Sequence, residues 1–212
     1  AQDDYGKMWW SNAGGEKGLH TYQVPIVYGN LNPPSQKEKD FDVTWPLVGA
    51  RDYQGGPNKS RPDGTLNHFT GCAGQTVFRG DRLPAELNGN VFLPEPVGRL
   101  IRRSVVTDQE GLTVLSNPHP QSEFIRSTDL CFRPMNMTTG PDGCLYIVDM
   151  YRGIIQEGNW VREGSYLRKV VQQHGFQNNV GRGRIWRLVH KDHKPGPQPK
   201  MLEESPSQWV QH

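Results

Sequence analysis

Three stretches of the chain share one arrangement of apolar and polar positions. In GKMWWSN (6–12), GNVFLPE (89–95) and GCLYIVD (143–149), a glycine stands six positions before a carboxylate or carboxamide, and the residues between are largely apolar. Asn88 and Asp142 precede the second and third glycines. Side chains alternate across an extended strand, so Met8, Trp10 and Asn12 share one face, as do Val91, Leu93 and Glu95, and Leu145, Ile147 and Asp149. Each predicted strand therefore ends polar on the same side. The opposite faces carry Trp9, Phe92, and Cys144, Tyr146 and Val148, so at least two of the strands are expected to be buried on both sides, as between stacked layers.

The units begin 83 and 54 positions apart, and a propeller blade takes roughly 40–50 residues in four strands. The spacing predicts an all-β fold, a partial β-propeller of three to five blades, with the 6–12, 89–95 and 143–149 strands innermost. Asn12, Glu95 and Asp149 would then converge on one mouth of a central channel. An incomplete ring leaves two open sheet edges, so packing against further blades is expected, on the same polypeptide or a partner chain.

Between and after these units the pattern changes. Residues 29–64, with Asn-Pro-Pro and Gly-Gly-Pro, read as a long surface excursion that closes on a hairpin turn at Pro62-Asp63-Gly64. SYLRKVVQQHG (165–175) predicts a short helix capped by Ser165 and ended by Gly175, with Leu167, Val170, Val171 and His174 on one face. Residues 183–189 predict a returning strand. The resulting division is a propeller segment over 1–190, a Pro-rich linker over 191–204 and the start of a helical region over 205–212, where Ser205-Pro206-Ser207-Gln208 carries a capping-box pattern. The chain is read as a segment of something longer.

Composition agrees with short strands joined by turns: 24 Gly, 17 Pro and 34% hydrophobic residues in a chain of 212. A net charge of +2 gives no electrostatic case for nucleic acid or anionic lipid. The arginines of GRLIRR, Arg99, Arg102 and Arg103, are expected at a solvated strand end. No apolar run approaches the ~18 residues that span a bilayer, and no signal peptide is evident. Cys72, Cys131 and Cys144 form neither the zinc and thioredoxin spacings nor the C-x-x-C-H of c-type haem attachment. Buried free thiols are the first reading, and one disulfide with an odd thiol the alternative.

Candidate chemistry gathers near the third unit. Arg133, in the polar segment that holds Asp129, has the bidentate donor geometry for a carboxylate or quinone oxygen; alternatively it neutralises Asp149 or Glu95. Tyr151 and Arg152 would lie on the loop above the channel and complete a ligand-binding set. Asp149, Glu95 and Asn12 are oxygen donors of the kind calcium takes, with capping of neighbouring backbone amides as the alternative. His20 and His68 stand near motif ends, where a proton acceptor for alcohol oxidation is sought. Arg79-Gly80-Asp81 and the sequons at Asn58 and Asn136 are short matches that carry little weight.

The order TVFRGDRLPAELNGNVFLPEPVGRLIRR, SEFIRSTDLCFRPMNM, GPDGCLYIVDMYRGIIQ and NVGRGRIWRLVH resembles the C-terminal half of the propeller in the bacterial membrane-bound dehydrogenase family, frequent in planctomycetes, verrucomicrobia and acidobacteria. That propeller is related to soluble quinoprotein sugar dehydrogenases and is commonly followed by HEAT-like repeats and a c-type cytochrome domain. The resemblance implies a periplasmic or cell-surface protein and a sugar or alcohol dehydrogenase using pyrroloquinoline quinone and calcium, with electrons passed to the cytochrome. A non-catalytic binding or scaffold propeller within a larger extracytoplasmic complex is the other expectation, since fold does not fix function.

Overall fold

A computed structural model describes residues 1–10, 27–28, 38–39, 41, 43–45, 62, 69, 71–155, 158, 161–194, 200 and 202–209. The strands are β1 (Trp9–Trp10), β2 (Val27–Tyr28), β3 (Thr76–Val77), β4 (Val91–Glu95), β5 (Leu100–Gln109), β6 (Leu112–Ser116), β7 (Ile125–Arg126), β8 (Pro134–Thr139), β9 (Leu145–Asp149) and β10 (Arg184–Leu188). Two α-helices follow the same chain order, α1 (Tyr166–His174) before β10 and α2 (Pro206–Trp209) after it. The described residues are thus mostly antiparallel β-sheet. One sheet runs β3-β4-β5-β6 with β7 added to β5, a second runs β10-β9-β8, and β1 pairs with β2.

The three repeat glycines share one backbone state. Gly6, Gly89 and Gly143 have φ of 81°, 75° and 75°, the left-handed region that a side chain disfavours, so each unit turns into its strand in the same way. The positions differ in their surroundings. A Cβ on Gly89 would meet open space, whereas one on Gly143 would fall 2.8 Å from Cγ of Arg82 and against the Asp81 carboxylate. Gly89→Ala is therefore expected to cost about 1–2 kcal/mol from backbone conformation alone. Gly143→Ala should cost about 2–3 kcal/mol, because the 81–82 segment must also shift. Urea denaturation of the two variants checks the ranking.

The main core lies between the two larger sheets. Phe78, Leu83, Leu87, Phe92, Ile101, Phe132, Met137, Leu145 and Ile147 are buried together, with Phe92 edge-on to Phe78 and Phe124 at centroid separations of 6.4 and 5.0 Å. Strand β4 is buried along its whole length. Phe92 belongs to that core, while Val91 packs with Trp9, Phe41, Val77 and Leu115, and Leu93 with Phe69 and Leu100. Strand β9 departs from the expectation of burial on both sides. Leu145, Ile147 and Asp149 are buried but Val148 is 41% exposed, and Met8 beside β1 is also exposed, because no layer covers those faces among the described residues.

The repeat strands are also not innermost in their sheets. β4 lies between β3 and β5, and β9 between β8 and β10. Where the two sheets adjoin, β8 lies against both β3 and β4. The segment leading into β3 runs parallel to β8 at Gly74 and Asn136, with the Gly74 N–H donating to the Met135 carbonyl at 2.8 Å. Gly74 has no room for a side chain there, since a Cβ would approach Asn136 to 2.5 Å.

Arg99 and Arg102 are buried rather than solvated. Arg102 forms a two-pronged pair with Glu123 at 2.6 and 2.7 Å and donates to the Phe41 and Val43 carbonyls at 2.6 and 2.7 Å. Its guanidinium carbon lies 5.2 and 5.1 Å from the ring centroids of Phe41 and Phe69. Arg99 has a positive φ of 59° and donates from Nε to the Leu130 carbonyl at 2.9 Å. Arg103 alone of the three is half-exposed, bonded to Asn90 Oδ1 and the Glu86 carbonyl.

Helix α1 forms as its sequence predicts. Ser165 Oγ accepts from the Arg168 N–H at 3.2 Å, Gly175 ends the helix at φ 64°, and Leu167, Val170 and Val171 are buried. His174 stacks on Phe176 at 5.2 Å. In α2 the Gln208 side chain accepts from the Ser205 N–H at 2.8 Å, the return half of the capping box. Residues 63 and 64 of the expected hairpin and most of the 29–64 excursion lie outside the described residues.

Candidate functional site

Two of the three repeat units end in a carboxylate, and these two, Glu95 and Asp149, make matching bonds. Asp149 Oδ1 accepts the N–H of Tyr151, two residues on, at 2.8 Å and the N–H of Arg133 at 2.8 Å. Glu95 Oε1 accepts the N–H of Val97, again two residues on, at 3.1 Å, and its two oxygens take the N–H of Gly71 at 2.9 and 3.2 Å. Gly71 and Arg133 occupy corresponding places: one precedes β3 and the other immediately precedes β8. In each sheet the acid that ends the second strand holds the turn it enters and the backbone that feeds the preceding strand. This is the side-chain-to-backbone capping in which short acids excel.

Arg133 joins the two clamps. It is buried, and its guanidinium donates to the carbonyls of Arg152 (2.8 Å) and Pro96 (2.8 Å), to that of Val97 at 3.4 Å, and to that of Gly153. Those carbonyls belong to the turns that follow Glu95 and Asp149, so the ends of β4 and β9 do gather at one place. The contact between Arg133 and Asp149 runs through the arginine main-chain N–H.

The remaining candidates cluster beside this pair. Asp129 accepts the Cys131 N–H at 2.9 Å, and its own N–H donates to Ser127 Oγ at 3.0 Å. A hydrogen bond to the Asp129 carboxylate, with partial burial, raises the Tyr151 phenol above its ordinary value. Tyr151 has φ 50°, its carbonyl accepts from Asn179 at 2.8 Å, and Arg184 lies 3.4 Å from the centre of its ring. Trp186 donates from its indole to Asp149 Oδ2 at 2.9 Å. The structure thus brings Arg133, Asp129, Tyr151, Arg152 and Asp149 together, with Glu95 reached through the 96–97 turn. Asn12, His20 and His68 lie outside the described residues.

Residues 1–192 match the family model described as "Domain of unknown function (DUF7133)". The chain belongs to the DUF7133 family. The match takes in all ten strands and α1 of this DUF7133 domain. No curated protein and no solved structure matches it.

Sequence reasoning missed several groups that matter to the DUF7133 fold. Asp142, fully buried, accepts from the Cys144 N–H, the Tyr146 hydroxyl and the Arg187 guanidinium; burial opposes its ionisation, but these donors together hold its carboxyl below the usual range. Its place in a Pro-Asp-Gly turn is the signal that was present, since Asp before a left-handed Gly commonly binds the backbone two residues on. Arg184 and Trp186 gave no signal beyond the apolar pattern of their strand. Arg79-Gly80-Asp81 is structural: Arg79 bonds the Asp4 carboxylate and the Gln2 carbonyl, and a Cβ on Gly80 would collide with the Gly143 carbonyl.

The calcium expectation can be tested on the donors that surround the acids. Both Asp149 oxygens and both Glu95 oxygens face N–H or S–H hydrogens, which present positive charge where a cation would have to sit. The two acids as arranged do not fit a calcium ion. Among the described residues no three His, Cys, Asp or Glu side chains gather as a metal site. No helix among them is long and apolar enough to cross a membrane.

The three cysteines are free thiols; Cys144 is buried and the other two are half-buried. Burial pushes Cys72 well above the usual thiol value, with the Glu95 carboxylate 3.7 Å away adding to the shift. Burial and then Asp129 raise Cys131, and burial and then Asp142 raise Cys144. Since the thiolate is the nucleophile, none of the three should react with Ellman's reagent at pH 8 on the timescale of a free cysteine. All three should react at once in guanidinium chloride.

Proposed function

We propose that this DUF7133 domain is a binding or scaffold segment of a β-propeller within a larger extracytoplasmic assembly. One observation carries the reading: the repeated acids Glu95 and Asp149 perform the same backbone-clamping task, so the polar strand ends that a catalytic channel would use are committed to holding the sheets together. Arg133, the residue best suited to a quinone carboxylate, is likewise engaged with backbone carbonyls. The parallel contact of the segment before β3 with β8 supports blades set side by side, in a segment of three to five. In this reading the domain spans 1–190, the 191–204 linker leads to a helical region, and further blades and a helical-repeat or cytochrome region lie on the same or another chain.

The surface of the second sheet supports a partner. Val148 and Ile185 face each other across the β9–β10 ladder at 41% and 67% exposure, and Trp186 on the β10 edge is 45% exposed. β10 pairs only with β9 among the described residues, which leaves its outer backbone groups available for another strand. Sedimentation of the purified chain should show association that Ile185→Lys weakens while the melting temperature moves little. A monomer that unfolds cooperatively overturns the scaffold reading. The dehydrogenase reading stands if reconstitution with pyrroloquinoline quinone and calcium gives calcium-dependent dye reduction with aldoses or alcohols.

A further inference from the structure

A groove of about 660 Å³ opens between helix α1 and the residues Arg152, Ile154, Gly158, Val161 and Arg162, adjoining at Arg152 the turn that follows Asp149. Its size is that of a small-molecule site. The buried side chains of Ile154 and Val171 form part of its lining, and Arg152, Arg162 and Arg168 stand around it. No acidic side chain is among the described residues that line it. The side chains of Arg162 and Gln172 have no hydrogen-bond partner among the described residues, and Arg168 has one long bond, from Nη1 to the Val161 carbonyl at 3.5 Å. Other buried or half-buried arginines of this chain are spent on carbonyls or carboxylates, as Arg99, Arg102 and Arg133 are. The groove differs in that the Arg162 guanidinium has no hydrogen-bond partner among the described residues and Arg168 has only that one long bond.

We propose that this groove binds a small organic acid, a carboxylate carried on an apolar body. The carboxylate would sit between Arg162 and Arg168, where the planar guanidinium can donate two parallel hydrogen bonds. The apolar body would lie over Ile154 and Val171, and Gln172 would add a neutral donor or acceptor at the rim. A bare inorganic anion would make no use of the apolar lining, of which Val180 is exposed, and an alcohol or amine of the same shape would leave the guanidinium pair unmatched. The site is independent of the scaffold reading, since it uses neither the sheet edge nor the strand-end acids.

Isothermal titration of the full chain with 3-phenylpropanoate, 3-phenylpropan-1-ol, 3-phenylpropylamine and inorganic phosphate tests it. The acid should bind at least about tenfold more tightly than any of the other three, the loss expected from one charge-assisted hydrogen bond. Arg162→Gln and Arg168→Gln, both at exposed positions, should each weaken the acid by about tenfold, with unchanged circular dichroism, and Arg162→Lys should recover part of the loss. Absence of binding by the acid overturns the proposal. So does equal binding of the alcohol or of phosphate, or an affinity that neither glutamine substitution changes.

Discussion

Replacing Asp149 by alanine should destabilise the protein by about 4 kcal/mol, a large share of the roughly 5–15 kcal/mol that holds a domain folded. The figure follows from what the side chain supports. Oδ1 accepts two main-chain N–H groups, from Arg133 and Tyr151, and Oδ2 accepts the Trp186 indole. Removing the carboxylate leaves the Arg133 N–H buried without that acceptor, and each orphaned buried donor costs about 1–3 kcal/mol. Tyr151 is also held at φ 50° by this bond, so its turn loses the contact that offsets an unfavourable conformation. Asp149→Asn separates clamp from ligand site. The amide keeps one oxygen for both main-chain donors and loses only the indole bond, so its cost should be about 1–2 kcal/mol. A carboxylate kept for a metal or ligand would give the opposite picture, with both substitutions nearly silent in the ligand-free protein. Urea denaturation of the two variants, and of the matching pair at Glu95, decides it; equal, small effects at both acids would remove the clamp from the account.

The part of this arrangement that was legible in the sequence is the part set by local backbone. The glycine-to-acid spacing marks strands that do form at β4 and β9, and the glycines that precede them share a left-handed φ where the chain turns into each strand. Ser165 and Gly175 bounded α1 for the same local reasons. What the sequence hid depends on partners far along the chain. Arg102 lies between Leu100 and Ser104 on one face of β5 and has the charge of a surface residue, yet Glu123 and the 41–43 backbone come from distant segments to receive it. The edge positions of β3 and β8 leave little trace in the sequence because their apolar content is slight, and the more regular strands beside them read as innermost. Arg133 meets Asp149 through its main-chain N–H, and not through the guanidinium as a neutralising pair would; a sequence cannot say whether an arginine meets an acid through its side chain or its main chain.

Breaking the Arg102–Glu123 pair should have the other large effect. Both side chains are fully buried, and the guanidinium makes bonds of 2.6 and 2.7 Å to the carboxylate. Arg102→Met leaves Glu123 buried with only the Trp45 N–H, at 3.0 Å, among its named donors, and frees the Phe41 and Val43 carbonyls. Glu123→Leu leaves a buried guanidinium whose charge is answered only by carbonyl dipoles and by the rings of Phe41 and Phe69. Each single change should cost about 3–5 kcal/mol, as for other buried ion pairs that lose one partner. The double variant removes both charges along with the burial penalty that each carried, so it should be less destabilised than the two single effects added together, with a coupling of about 2–3 kcal/mol. The same cycle reports on the region it ties down. Arg102 is the described link from β5 to residues 41 and 43, so loss of the pair should expose that stretch to proteolysis before the sheets unfold. Additive single effects, with no coupling between them, would mean that the carbonyl and ring contacts alone keep Arg102 in place and that Glu123 contributes little to holding it.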